Sequence, residues 1–344
     1  LGLLFAELGN MTDAEQGIEA IYRLSAEGYA TGKLIAMRNG ARFTQSLAGF
    51  AARPVGPGCE TGTCGWVSHQ LTGYRSNLGE TYEGHQRITS MGAQWQSQQG
   101  WRIGLAMGTE GGGWRDNKRF SGSYEGERLG VFGWMPHGEW EFQGGLSFGK
   151  SRMDAARHVG FAGILPDETE VALDRATSRI GMRQINLNLG VASNHLNWDN
   201  GTYLRPLAEV DLAWTRAAGV EDGLGAAGLR MDEGYRFNSA IRVSAEYGYR
   251  VDEPNGGQHL SYLRAGVSHN LQGSMAAGMR LIGAPDSAAA FDQFAPMPRT
   301  MLDLSAGVKA FDPGTGVYSE IQLDGHFWKK TQEITGSIKF GIKF

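Results

Sequence analysis

Residues 317–344 read VYSEIQLDGHFWKKTQEITGSIKFGIKF, two successive alternations of apolar and polar side chains. In the first, Ile321, Leu323 and Phe327 are interleaved with Glu320, Gln322, Asp324 and His326. In the second, Ile338, Phe340, Ile342 and Phe344 are interleaved with Lys339, Gly341 and Lys343. A period of two puts successive side chains on opposite faces of a strand. Each segment is therefore a strand with one apolar and one polar face.

The same period extends back to Arg53-Pro54. It is clean in Trp101–Gly108, Trp140–Phe148, Ile185–Val191 and Phe237–Tyr247. A soluble sandwich also alternates, so the opposing face decides. That face is small or charged in strand after strand, as a water-filled lumen demands. Trp, Tyr or Phe bracket the apolar runs, which suits a membrane interface. The fold class read from this pattern is all-β, an antiparallel transmembrane β-barrel of about twelve strands. They are expected near 65–75, 87–97, 101–109, 122–134, 139–151, 175–194, 202–215, 235–250, 258–271, 299–311, 317–327 and 334–344. Short connections (98–100, 135–138, 197–201, 251–257, 312–316) alternate with long ones (110–121, 152–174, 216–234, 272–298). Short periplasmic turns opposite long surface loops are the asymmetry of an outer-membrane barrel.

Composition agrees. Glycine makes up 52 of 344 residues, roughly twice the usual share of about 7%, and closed sheets use it for bends and close approach. No apolar run is long enough for a transmembrane helix, and the mean hydropathy of −0.32 does not argue against a barrel that turns only alternate residues to lipid. A net charge of −4 gives no footprint for nucleic acid. The chain opens at Leu1 without an initiating methionine or a signal peptide, which reads as a piece of a longer precursor.

From Asp13 to Phe50 the period is helical instead, through Ile18, Ile21, Tyr22, Leu24 and then Leu34, Ile35, Met37, Phe43 and Leu47. Gly28 and Gly32 are expected to divide this stretch into two helices. The two cysteines, Cys59 and Cys64, lie in PGCETGTCGW. Too few ligands accompany them for a metal, and a redox pair has two intervening residues rather than four. A local disulfide formed in the periplasm or at the cell surface is the expectation. No metal, cofactor or catalytic set is expected. His269 has no nameable partners, and His326 reads as part of a polar lumen.

The segment IYRLSAEGYATGKLIAMRNGARFTQSL (21–47) resembles the junction before an autotransporter barrel, where an L-S-x-E-x-Y-A pattern is matched by Leu24, Ser25, Glu27, Tyr29 and Ala30. CGWVSHQLTGYRS (64–76) is similar to the first strand of such barrels, and LIGAPDSAAAF (281–291) to their G-A-P loop. SIKFGIKF (337–344) resembles their terminal strand, with glycine displaced from its usual place.

The resemblance implies a Gram-negative outer-membrane translocator for its own N-terminal passenger. Residues 1–30 would be the passenger junction, 31–63 a pore helix and linker, and 64–344 the barrel. Its partners would be outer-membrane lipid, the passenger, periplasmic chaperones and the barrel-assembly machinery, the last reading Phe340, Ile342 and Phe344. The barrel would be a monomer. A helix in a narrow polar lumen must satisfy its charges. Lys33, Arg38 and Arg42 are therefore expected to pair with the inward acids Glu209, Asp211, Glu246, Glu320 and Asp324. The other classes to weigh are a stand-alone solute pore, which a helix before the first strand would obstruct, and a barrel enzyme.

Overall fold

The computed structural model describes residues 27–52, 62–78, 81–116, 120–158, 175–193, 196–198, 200–222, 228–282 and 290–344. Twelve antiparallel strands form the wall. They are β1 (Gly62–Ser76), β2 (Tyr82–Gln96), β3 (Arg102–Asp116), β4 (Phe120–His137), β5 (Trp140–His158), β6 (Arg175–Ser193), β7 (Thr202–Ala217), β8 (Gly234–Asp252), β9 (Gln258–Asn270), β10 (Thr300–Asp312), β11 (Val317–Trp328) and β12 (Thr331–Lys343). Each pairs with its neighbours in the chain, and β1 pairs with β12 from Cys64 opposite Lys343 to Ser76 opposite Thr331. The sheet therefore closes. Closure removes the edges that hydrocarbon could not solvate.

Every expected strand is present, and all five short connections lie at one end of the barrel. Each holds a glycine at positive φ (Gly100, Gly138, Gly201, Gly256, Gly316), a conformation that costs any residue carrying a Cβ. The other end departs from the sequence reading. Residues 110–121 are mostly strand, because β3 runs to Asp116 and β4 starts at Phe120. β5 likewise continues to His158. The segments expected as plain loops at 216–234 and 272–298 carry four short strands: Val220–Glu221, Leu229–Met231, Ser274–Leu281 and Phe291–Pro296. These form a second antiparallel sheet at the mouth.

Outward positions at membrane depth are apolar and exposed, among them Leu105, Leu129, Phe148, Leu189, Val243, Leu263, Ile321 and Phe340. Inward positions on the same strands are polar and buried, such as Ser90, Arg128, Ser147, Asn186 and Asn188. Toward the loop end of β3–β6 the polarity inverts while the strands continue. Arg115, Glu125, Arg152 and Arg179 point outward there, and Trp114, Tyr124, Met153 and Ile180 point inward.

Among the described residues one helix, α1 (Glu27–Ala52), lies inside the barrel, mainly against β3–β6. It runs unbroken through Gly28 and Gly32, so a break between the two expected pieces does not fall at these glycines. The cost of glycine in a helix, about 1 kcal/mol each, is offset by close approach to the wall. A side chain at Gly28 would strike the Phe120 ring, and one at Gly32 would strike Met153 and Trp114. The earlier helical stretch from Asp13, with Leu24 and Ser25, lies outside the described residues. So do Cys59 and most of the segment compared with the G-A-P loop.

Candidate functional site

The site is the lumen together with α1. Gly28, Gly32, Ala36, Gly40, Thr44 and Ala48 recur every four residues, so each lies beside the next on a face that winds slowly around the helix. That face is pressed to the wall. Gly40 leaves room for Gln184, Asn186 and Arg128, and the Thr44 hydroxyl lies 2.6 Å from that of Ser147. The wall reciprocates. Gly108 and Gly130 leave room for Phe43 and Leu47, which pack with Ile88, Ala106, Phe132 and Trp66.

The helix has a direction. Tyr29 packs edge-on against Phe120 at the loop end of β4, with ring centroids 5.0 Å apart. Leu47 lies far lower, against Gly130. Around the upper turns, Tyr29, Leu34, Ile35 and Met37 join a cluster containing Trp114, Met153, Ile180, Met275, Met279 and Met297, so the mouth sheet closes over them. Asp222 ties the mouth sheet to the barrel and the helix. Its carboxylate accepts from the Arg157 guanidinium at 2.6 and 3.1 Å, the Leu229 amide at 2.8 Å and the Tyr29 hydroxyl at 3.4 Å.

Lower down, α1 presents polar groups to the free part of the lumen. Arg42 pairs with Glu333 on β12 and donates to Gln86, while Arg38 reaches Glu333 at 3.9 Å. The Asn39 amide donates to the Tyr124 hydroxyl. Gln45 donates to Asp211 at 2.9 Å. Among the described residues, two small polar cavities of about 110 and 90 Å³ lie beside the helix.

Residues 66–318 match the autotransporter beta-domain family. This chain belongs to that family.

Solved structures agree on the fold. The translocator domain of autotransporter NalP from Neisseria meningitidis is 13% identical, with a TM-score of 0.72 over 93% of this chain and 100% of that one. The beta domain of the Bordetella autotransporter BrkA is 14% identical, with a TM-score of 0.59 over 81% and 99%. The transport unit of the autotransporter AIDA-I from Escherichia coli is 10% identical, with a TM-score of 0.57 over 88% and 97%. No curated protein sequence matches the chain. The protein is thus a translocator barrel of the Gram-negative outer membrane.

Within this translocator lumen the charges expected to meet are only partly brought together. Arg38 and Arg42 face one carboxylate, Glu333, which falls just before the strand start assigned from the sequence at residue 334. Extending that strand by one residue puts Glu333 on the inward parity with Thr335, the signal that would have found it. Lys33 is buried among the upper turns, and no described carboxylate lies within ion-pair distance of it. All five acids face inward. Asp211 touches α1 through Gln45, while Glu209 and Asp211 bind Arg242 at 3.2 and 3.8 Å. Glu320 lies 3.6 Å from Lys309 and 3.7 Å from Lys339. Glu246 accepts from the Tyr203 hydroxyl at 2.9 Å, and Asp324 from Gln322 at 2.6 Å. The physical reason is placement: α1 leans mainly on β3–β6, whereas these acids lie on β7, β8 and β11, where other wall side chains are nearer than the helix cations.

His326 pairs with Asp303 at 2.6 Å, and Asp303 with Arg242 at 3.1 Å, which makes both histidine and acid part of the lumen network. His269 faces outward and lies 2.9 Å from the Thr300 hydroxyl. Cys64 is fully buried on β1. Phe340 and Ile342 face lipid, and the Phe344 amide donates to the Thr63 carbonyl at 2.9 Å.

Proposed function

We propose that this barrel exports the polypeptide attached ahead of Glu27 to the cell surface and then remains plugged by α1. The polarity of the helix carries the reading. Its N-terminal end lies among the surface loops and its C-terminal end points to the turns from which β1 starts. A passenger joined to Glu27 therefore leaves on the outside. Its role is conduction of a chain rather than catalysis. An epitope fused upstream of residue 27 should be stained, and removed by added protease, on intact cells. An epitope protected in the periplasm beneath a correctly inserted barrel would contradict export.

The same reading assigns assembly to the barrel-assembly machinery and periplasmic chaperones. Phe344, with Phe340 and Ile342, is the signal. Deleting Phe344 should lower the amount of folded barrel in outer-membrane fractions, read by heat-modifiability on gels, more than it lowers the stability of barrel already inserted. Cys59 and Cys64 would form a local staple tying the linker to the start of β1, contributing on the order of 2 kcal/mol because the loop is short.

A further inference from the structure

Above the lipid-facing band, the outward positions of β4–β7 become charged at more than one level, and the levels differ in balance. Higher up, Glu125 stands opposite Arg152 and Asp154 opposite Arg179. These groups satisfy one another: Arg179 meets Asp154 at 2.6 Å, Arg152 meets Asp154 at 3.6 Å, and Arg152 also pairs with Glu125. The row bordering the apolar band reads Glu127, Lys150, Arg183 and Arg216 on successive strands, each directly opposite the next. Three cations thus stand side by side. Like charges in that position destabilise a sheet.

Arg216 is held by Glu233 at 2.7 Å and lies over the Tyr235 ring. Lys150 and Arg183 are exposed, and among the described residues neither forms an ion pair, Glu127 included. Directly beneath, Leu129, Phe148, Ile185 and Trp214 form the next outward row, in register and facing lipid. The combination is two cations without an ion pair, Lys150 and Arg183, beside a third on top of an apolar wall, at the loop end and therefore at the outer leaflet.

We propose that Lys150, Arg183 and Arg216 bind the phosphates of an anionic outer-leaflet lipid whose acyl chains lie against Phe148, Ile185 and Trp214. A phosphate between Lys150 and Arg183 supplies the missing counter-charge, and the arginine fork matches its oxygens bidentately. A lipid is favoured over a free anion because the site borders an apolar surface that only acyl chains can use.

The test is native mass spectrometry and thermal unfolding of the full chain in phosphatidylcholine nanodiscs. Bis-phosphorylated lipid A, its dephosphorylated form and inorganic phosphate are titrated separately. Lipid A should bind saturably and raise the unfolding temperature. The K150Q/R183Q variant should bind it at least tenfold more weakly, and R152Q, from the self-paired level above, within twofold of the parent. In phosphatidylcholine alone, K150Q/R183Q should unfold no lower than the parent, since it removes opposed like charges. Undiminished binding by K150Q/R183Q, equal loss in R152Q, equal binding of dephosphorylated lipid, or equal stabilisation by inorganic phosphate would each overturn the proposal. So would a lower unfolding temperature of K150Q/R183Q in phosphatidylcholine alone.

Discussion

The barrel at membrane depth and the barrel above it are built from the same strands with opposite polarity. On β5, the outward Trp140, Phe142 and Phe148 give way to Lys150 and Arg152, while the inward Glu141, Gln143 and Ser147 give way to Met153 and Ala155. β6 repeats the change. Ile185 and Leu189 yield to Arg183 and Arg179 outside, and Asn186 and Asn188 yield to Met182 and Ile180 inside. The surroundings account for it. Below, lipid lies outside and water inside, so the apolar face turns out. Above, water lies outside, and the lumen is filled by α1 and covered by the mouth sheet, so the apolar face turns in as in any soluble domain. The upper part is a conventional hydrophobic core wrapped around the first turns of the helix, and it anchors a plug whose lower turns combine polar contacts, through Arg42, Thr44 and Gln45, with the apolar packing of Phe43 and Leu47.

On this contrast, a charge is costly inside the upper level and outside the lower one, whereas an apolar residue outside the upper level is tolerated. The largest effect is expected for Met153→Asp. It puts a carboxylate at a fully buried position beside Gly32 and Trp114, and should cost on the order of 4 kcal/mol or prevent folding. Urea unfolding of the detergent-solubilised barrel measures it. Next is Val243→Lys, at a lipid-facing position 61% exposed in the absence of bilayer, with an expected cost of roughly 2–4 kcal/mol near the midplane. The smallest is the mirror substitution Arg152→Leu, above the band, which should change stability by no more than about 0.5 kcal/mol. Equal costs for Val243→Lys and Arg152→Leu in lipid would erase the distinction between the two levels.

The inversion also explains what the sequence disclosed and what it withheld. Twelve strands, the turn end and the lumen parity are legible because alternation survives at membrane depth. The loop ends of β3 and β5 read as loops because their apolar residues switch parity there: Trp114 and Met153 fall on the face that had been polar. The mouth sheet is opaque for a different reason. Its strands are short, and their apolar residues, Met275, Met279 and Ala295, acquire meaning only when α1 lies beneath them.

The unbroken helix is hidden as well. Gly28 and Gly32 read as breakers in isolation and as close-packing positions only once Phe120 and Met153 are placed against them. Among the lumen charges, inward parity can be read from the pattern but partners cannot. Which acid meets Arg42 depends on the wall α1 leans against.

The central claim is that α1 fills the lumen and closes it. Single-channel recording in planar bilayers tests this directly, comparing the full chain with a chain in which residues 27–52 are replaced by a flexible linker. The full chain should conduct little, through the narrow cavities beside Arg42 and Arg242, and the replacement should raise conductance several-fold. Equal conductance of the two chains would place the helix outside the conduction path and contradict the account.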